Sequence, residues 1–201
     1  MLNVLLIDSN HYWSLGLSLL IVNQLADNSE PISFLLPENK DSRDIANIIF
    51  RDDLVTIHVD NKKSVCKYAE TAQKEAQRIT IHVPFLTKSQ SLSDITIKIA
   101  KILAIAKADY NLLANKEESY WNFGLKKYAQ LSDTENDVMI LIGHGYNSTD
   151  ISRILNRSRK TISTHYRNAS RKMGAANRAE FYRYASFIAQ CRRDERNTLC
   201  L

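Results

Sequence analysis

Ser158-Arg159-Lys160-Thr161-Ile162-Ser163-Thr164-His165-Tyr166-Arg167-Asn168-Ala169-Ser170-Arg171-Lys172-Met173-Gly174 is the stretch from which the rest of the chain can be ordered. Ser158 suits a helix N-cap, because its hydroxyl can accept from an unpaired first-turn amide. Gly174 suits the left-handed residue that ends a helix. Between them, Ile162, Tyr166, Ala169 and Met173 recur at intervals of 4, 3 and 4 and so share one helix face. Lys160, Ser163, Thr164, Arg167 and Arg171 fall on a different face, polar and cationic. The spacing predicts a helix anchored by its apolar side with a basic side turned outward.

The neighbouring residues supply three more short helices. Ser132 and Glu135 form an S-x-x-E capping box, and Val138, Leu141 and Ile142 follow as an apolar stripe closed by Gly143 and Gly145. Asn147 caps a second helix carrying Ile151, Ile154 and Leu155, and Asn177 caps a fourth that runs to about Gln190. Residues 125–201 hold 14 Lys/Arg against 7 Asp/Glu, a balance of +7, whereas residues 1–124 hold 13 against 15, or −2. The surplus charge thus belongs to the helical half, as expected for a nucleic-acid footprint. A cationic, hydroxyl-bearing helix face fits the major groove, where Arg can pair bidentately with guanine and the Thr methyl can touch thymine. Pattern and charge alone leave a merely solvated basic face equally open.

The first half alternates strand-like and helix-like pieces. Val4 to Ile7, Ile32 to Leu36, Leu54 to Val59 and Ile79 to Val83 read as strands. The segments containing Trp13, Leu17, Leu20 and Ile21, then Asp41 to Phe50, Ser64 to Arg78 and Leu92 to Lys107, read as helices. This alternation predicts an α/β domain with a parallel sheet flanked by helices, followed by an all-α domain of four helices. The expected boundaries are 1–107 for the α/β domain, 108–130 for a linker, 131–190 for the helical domain and 191–201 for a C-terminal tail.

Residues 131–178 resemble the LuxR-type helix-turn-helix of LuxR and FixJ/NarL regulators. The family's opening Leu-Thr-x-Arg-Glu-x-Glu-Val-Leu stands here as Leu131-Ser132-Asp133-Thr134-Glu135-Asn136-Asp137-Val138-Met139. Its later elements stand as Ile142-Gly143-His144-Gly145, Ile151-Ser152-Arg153-Ile154-Leu155, Ser158 to His165, and Lys172-Met173-Gly174 with Asn177-Arg178. The resemblance implies base reading by Ser163, Thr164 and Arg167. Lys160, Thr161, Arg171 and Lys172 become candidates for phosphate contacts, and His165 for packing. It also implies a dimer, homomeric or with another regulator, for which Phe181, Tyr184, Ala185 and Ile188 are candidates; ordinary core is the equal alternative. Thr134 replaces a frequent family Arg.

Asp8-Ser9-Asn10 through Gly16-Leu17, and Phe85 to Ser89, resemble parts of a response-regulator receiver. Such a domain needs an acidic cluster for Mg²⁺ and an acceptor Asp at the end of its third strand. Ser9 stands where a second acid belongs. Reading Leu54 to Val59 as the third strand puts His58 at the acceptor position, with Asp60 two residues on. The pocket of Asp8, His58, Asp60 and Lys88 is therefore expected to be degenerate and not phosphorylated in the usual way. That leaves dimerisation, pairing with another regulator or a small ligand as its role.

No Ser/His/Asp triad, P-loop, Gly-rich fingerprint or metal-ligand spacing occurs, so neither an enzyme nor a cofactor is expected. The cysteines Cys66, Cys191 and Cys200 are far apart, as in a reducing compartment. No signal peptide or apolar run of membrane-spanning length is legible, since Ile95 to Ala108 is interrupted by Lys98, Lys101 and Lys107. The expected setting is cytoplasmic, away from membranes, with double-stranded DNA as the partner.

Overall fold

The computed structural model describes residues 1–8, 10–25, 31–39, 41–61, 77–85, 90–115 and 120–201. A six-stranded sheet lies in the N-terminal half, in the order β2-β1-β3-β4-β5-β6. Its strands are β1 (Leu2–Ile7), β2 (Ile32–Leu35), β3 (Ile48–Arg51), β4 (Leu54–Asp60), β5 (Arg78–Pro84) and β6 (Asn197–Thr198). The helices of this half are α1 (His11–Leu25), α2 (Ser42–Ile45), α3 (Leu92–Ala106) and α4 (Tyr110–Ala114). The C-terminal half is helical, with α5 (Asp133–Gly143), α6 (Ser148–Ile154), α7 (Arg159–Met173) and α8 (Arg178–Gln190). An α/β half followed by an all-α half is the division read from the sequence.

The sheet is mixed. β1 runs parallel to β2 and β3, and β6 runs parallel to β5, but β4 is antiparallel to both β3 and β5. The expected parallel sheet is therefore corrected to a mixed one, and one helix reading falls with it. Asp41 to Phe50 is not one helix: α2 takes four residues, and Ile48-Ile49-Phe50-Arg51 then forms a strand beside β1. β3 is too short and too densely β-branched to hold a helix, and its Ile48 and Phe50 drop into the core. The reversal comes at Asp52-Asp53, where Asp52 adopts a left-handed φ of 48°. Asp tolerates that conformation better than most residues. The segment predicted as helix over 64–78 lies mostly outside the described residues.

Because strand side chains alternate, the two faces of this sheet differ in chemistry. Val4, Ile48, Phe50, Val55, Ile57, Ile81 and Val83 share one core cluster with Leu17 and Ile21 of α1 and with Ile99 and Ile102 of α3. The opposite face carries Arg51, Thr56, His58, Thr80 and His82. There, Thr56 lies opposite His82 and His58 opposite Thr80. Their side chains are joined across the ladder, Thr56 Oγ1 to His82 Nδ1 at 3.1 Å and His58 Nδ1 to Thr80 Oγ1 at 3.3 Å.

The two halves are laced together by residues expected to be linker and tail. Leu113 and Leu125 enter the N-terminal core, with Tyr110, Tyr120 and Phe123 packed against it. Within residues 191–201, Asn197 and Thr198 return to the sheet as β6. Gln130 clasps the Cys200 backbone, donating from Nε2 to the carbonyl at 2.8 Å and accepting from the amide at 2.9 Å. Tyr184 of α8 donates its hydroxyl to the His82 carbonyl at 3.2 Å, and Arg183 pairs with Asp53.

Candidate nucleic-acid interface

Each helix of the C-terminal half begins where a local cap was legible. Ser132 Oγ accepts from the Glu135 amide, and the Glu135 carboxylate accepts from the Ser132 amide at 2.9 Å. Asn147 accepts from the Thr149 and Asp150 amides, Ser158 from Thr161, and Asn177 from Glu180. Gly174 ends α7 with a φ of 74°, which costs glycine nothing. These contacts satisfy amides and carbonyls that helix ends leave unpaired.

α7 is held as its spacing requires. Ile162, Ala169 and Met173 are buried, and the Tyr166 ring meets Phe181 of α8 edge-on, with centroids 4.9 Å apart. Ile162 joins Val138 of α5 and Ile151 of α6 in a small cluster that fixes α6 against α7. On the outer side, Lys160, Ser163, Thr164, Arg167 and Arg171 are all exposed. Ser163 Oγ donates to the Arg159 carbonyl at 3.0 Å, and Thr164 Oγ1 to the Lys160 carbonyl at 3.1 Å. With their protons turned inward, these hydroxyls offer lone pairs outward, suited to accept from a cytosine or adenine amino group. His165 is half-buried between the faces, in keeping with a packing role.

The charge distribution around α7 is one-sided. From Val138 to Ala179 the chain carries Arg153, Arg157, Arg159, Lys160, Arg167, Arg171, Lys172 and Arg178 against the single acid Asp150. Arg159 and Lys160 occupy the first turn of α7, which has no acidic residue. The positive end of the helix dipole makes cations there unfavourable by about 0.3–1 kcal/mol each. A phosphate oxygen at that end reverses the sign, because amides, dipole and cations then act together. Arg153, Arg157 and Arg159 are exposed and extend the basic face beyond the residues first singled out. Their signal was the density of cations along the sequence.

Two groups of expected site residues are corrected. Lys172 does not face outward: its Nζ donates to Glu135 Oε2 at 2.7 Å and to the Gln130 carbonyl at 2.8 Å. Its side chain is 16% exposed and that of Glu135 6%, so the pair belongs to the fold. Thr161, by contrast, keeps partial exposure, with its hydroxyl 2.8 Å from that of Ser158, and stays a candidate. Phe181, Tyr184, Ala185 and Ile188 are buried within the chain, at 0%, 4%, 0% and 0% exposure, so they have no surface left for a dimer partner.

The expected receiver pocket does not assemble either. Asp8 follows the end of β1, whereas His58 and Asp60 lie toward the far end of the sheet, because β4 runs against β1. Asp60 there pairs with Arg78 at 2.7 Å. Beside Asp8 the fold instead places Asp52, which shares with it a cleft of about 10 Å³ lined also by Trp13, Phe50 and Phe85. The acidic Asp52-Asp53 turn was missed because β3 was not recognised. Ser9 and Lys88 lie outside the described residues. Among the described residues, no group of three or more His, Cys, Asp or Glu could hold a metal.

A cationic helix braced by three others, with its hydroxyl-bearing face clear of the core, defines a helix-turn-helix protein. Residues 129–185 match the family of bacterial regulatory proteins, luxR family, so this stretch is a LuxR-type helix-turn-helix domain. No curated protein matches the chain. Among solved structures, one described as "Conformational dynamism for DNA interaction in Salmonella typhimurium RcsB response regulator" aligns with 93% of this chain and 100% of that one. The identity is 17% and the TM-score 0.29. No helix among the described residues is long and apolar enough to cross a membrane.

Proposed function

We propose that the protein is a sequence-specific, DNA-binding transcription regulator that works without conventional aspartyl phosphorylation. The observation that carries this reading is α7: its apolar side is buried while Lys160, Ser163, Thr164, Arg167 and Arg171 stand exposed. The helix enters the major groove, Ser163, Thr164 and Arg167 read base edges, and Arg159, Lys160 and Arg171 meet phosphates. Selection of bound sequences from a random duplex pool tests this. Enrichment of a defined motif is expected, and recovery of unselected DNA at low salt would defeat it.

Phosphorylation independence rests on the poverty of the acidic site. Among the described residues, Asp8 and Asp52 share their cleft without a third acid, and Asp53 is committed to Arg183. Two carboxylates leave a hard divalent cation short of oxygen ligands. Incubation with acetyl phosphate and Mg²⁺, followed by intact-mass measurement, should leave the mass unchanged. A stoichiometric phosphoryl adduct on Asp52 or Asp53 would overturn this part.

One observation favours a second reading, in which the first half modulates another regulator by contact. α1 contains no Asp, Glu, Lys or Arg, and its Tyr12, Leu15, Leu19 and Val22 are exposed at 90%, 61%, 56% and 48%. Such an uncharged stripe suits a protein partner. Sedimentation of the wild type against Leu15→Glu/Leu19→Glu, with and without duplex, separates self-association from a monomer.

A further inference from the structure

The polar face of the central sheet holds a cavity that the DNA-binding role does not use. It has a volume of about 250 Å³ and lies between β3, β4 and β5 on one side and the end of α8 on the other. Its walls include Ile49, Arg51, Thr56, His58, Thr80 and His82 from the sheet, Arg43 from α2, and Phe187, Cys191 and Glu195 from the α8 end. At about 30 Å³ per water, the space is that of several waters, enough for a small organic molecule.

His82 marks the cavity as a built site. The residue is 2% exposed, and its Nδ1 is occupied by Thr56, yet its Nε2 has no hydrogen-bond partner among the described residues. A backbone hydrogen bond with Glu195 favours the charged ring, but none of full geometry reaches Nε2 among the described residues. A buried polar nitrogen left unpaired is costly, and a ligand atom is one remedy. The Phe187 ring contacts two potential partners for such a ligand. The His82 ring meets it edge-on with centroids 5.4 Å apart, and the Arg51 guanidinium carbon is 5.8 Å from its centroid.

We propose that this cavity binds a small monoanionic carboxylate with a flat apolar body. The carboxylate sits between Arg51 and His82 Nε2–H, and the body lies against Phe187 and Ile49. The lining charges select the class. Arg43 and Arg51 oppose Glu195, so the wall carries a net single positive charge that one carboxylate balances and a phosphate dianion exceeds. A cationic ligand would have Glu195 alone against two arginines. The other ionisable groups around His58, namely Asp44, Asp60 and Arg78, lie beyond this lining or pair with each other. Arg51 makes its cation–π contact with Phe187 and has no carboxylate partner among the described residues. When the Thr56 hydroxyl donates to Nδ1, the ring keeps its proton on Nε2, where the ligand carboxylate accepts it. Because Phe187 belongs to α8, the bound molecule would bridge the sheet and the DNA-binding half.

Benzoate is the probe, with benzylammonium as its cationic counterpart, each titrated into the full chain to about 10 mM at constant ionic strength, a ceiling that captures weak binding. The readout is the His82 Cε1–H resonance, assigned by its loss in His82→Gln. Benzoate should shift it saturably and raise the pH at which it titrates, while benzylammonium leaves it in place. Arg51→Gln, checked for an unchanged fold by its NMR spectrum, should weaken benzoate about tenfold or more. A His82 resonance unmoved by benzoate, equally moved by benzylammonium, or moved as readily in folded Arg51→Gln overturns the proposal. The wild-type comparison of the two probes decides the matter even if the variant fails to fold.

Discussion

Lys172 at the end of α7 and Glu135 at the start of α5 form an ion pair of 2.7 Å. The same carboxylate caps its own helix through the Ser132 amide. Burial alone would raise the Glu135 carboxyl, but the Lys172 hydrogen bond, the Ser132 amide and the Lys172 charge together hold it below its ordinary value. The pair therefore couples the recognition helix to α5. Lys172→Ala strands a buried carboxylate, and removing one partner of such a pair costs about 3–5 kcal/mol. Chemical denaturation should show that loss, while DNA affinity per folded molecule changes little. Because the folded carboxyl is depressed, its contribution is complete above the unfolded value near 4.5 and fades as pH falls through the lower folded value. Lys172→Ala should thus narrow its stability gap to wild type in acid.

The close approach of α5 to α8 gives a second expectation. A Cβ on Gly143 would lie 2.1 Å from the Ala185 carbonyl oxygen and 2.9 Å from Ala189 Cβ. The first of these atoms is backbone and cannot swing aside, so α8 itself would have to move. Gly143→Ala should cost at least the 1–3 kcal/mol typical of overpacked cores, despite the better helix propensity of Ala. A thermal melt as high as that of the wild type would contradict the packing described.

Within the basic face, base readers and phosphate contacts should separate by their response to sequence and salt. Arg167→Ala should weaken binding to the selected duplex by about 1–3 kcal/mol and relax the preference at one position. Arg171→Ala should weaken selected and random duplexes alike and reduce the salt slope by about 1. The measurement is a salt titration of both variants on both duplexes. Identical behaviour of the two arginines would refute the assignment.

These expectations also mark what sequence could and could not disclose. The caps at Ser132, Asn147, Ser158 and Asn177 and the stop at Gly174 were legible because each acts within a few residues of its own backbone. The faces of α7 were legible because helical periodicity depends on spacing alone. The direction of β4 was not, since Asp52-Asp53 lacks the Asn-Gly or Asp-Gly signature of a tight hairpin. With that direction lost, His58 and Asp60 went to the wrong end of the sheet. Lys172 looked like its exposed neighbours because its partner lies 37 residues away. Phe181, Tyr184, Ala185 and Ile188 form an apolar stripe that reads the same whether it meets a partner or the chain's own core.

The cross-strand histidines set a pH dependence opposite in origin to that of Glu135. Burial is the chief cause that lowers both: His58 falls to about 4 with help from Arg78, and His82 falls to about 4 with help from His58. Against an unfolded value of 6.5, each is neutral in the native state over a range where the unfolded chain takes up a proton. Stability should therefore be flat above pH 6.5, decline as pH falls toward 4, and level off once the native histidines are protonated too. At about 1.4 kcal/mol per pKa unit, each histidine contributes roughly 3 kcal/mol to that decline. Their mutual repulsion keeps the two contributions from being independent. Urea denaturation at a series of pH values checks this. His58→Gln should remove about one histidine's share of the slope, and a wild-type stability that stays level from pH 7 to pH 4.5 would refute the buried, neutral state assigned to both rings.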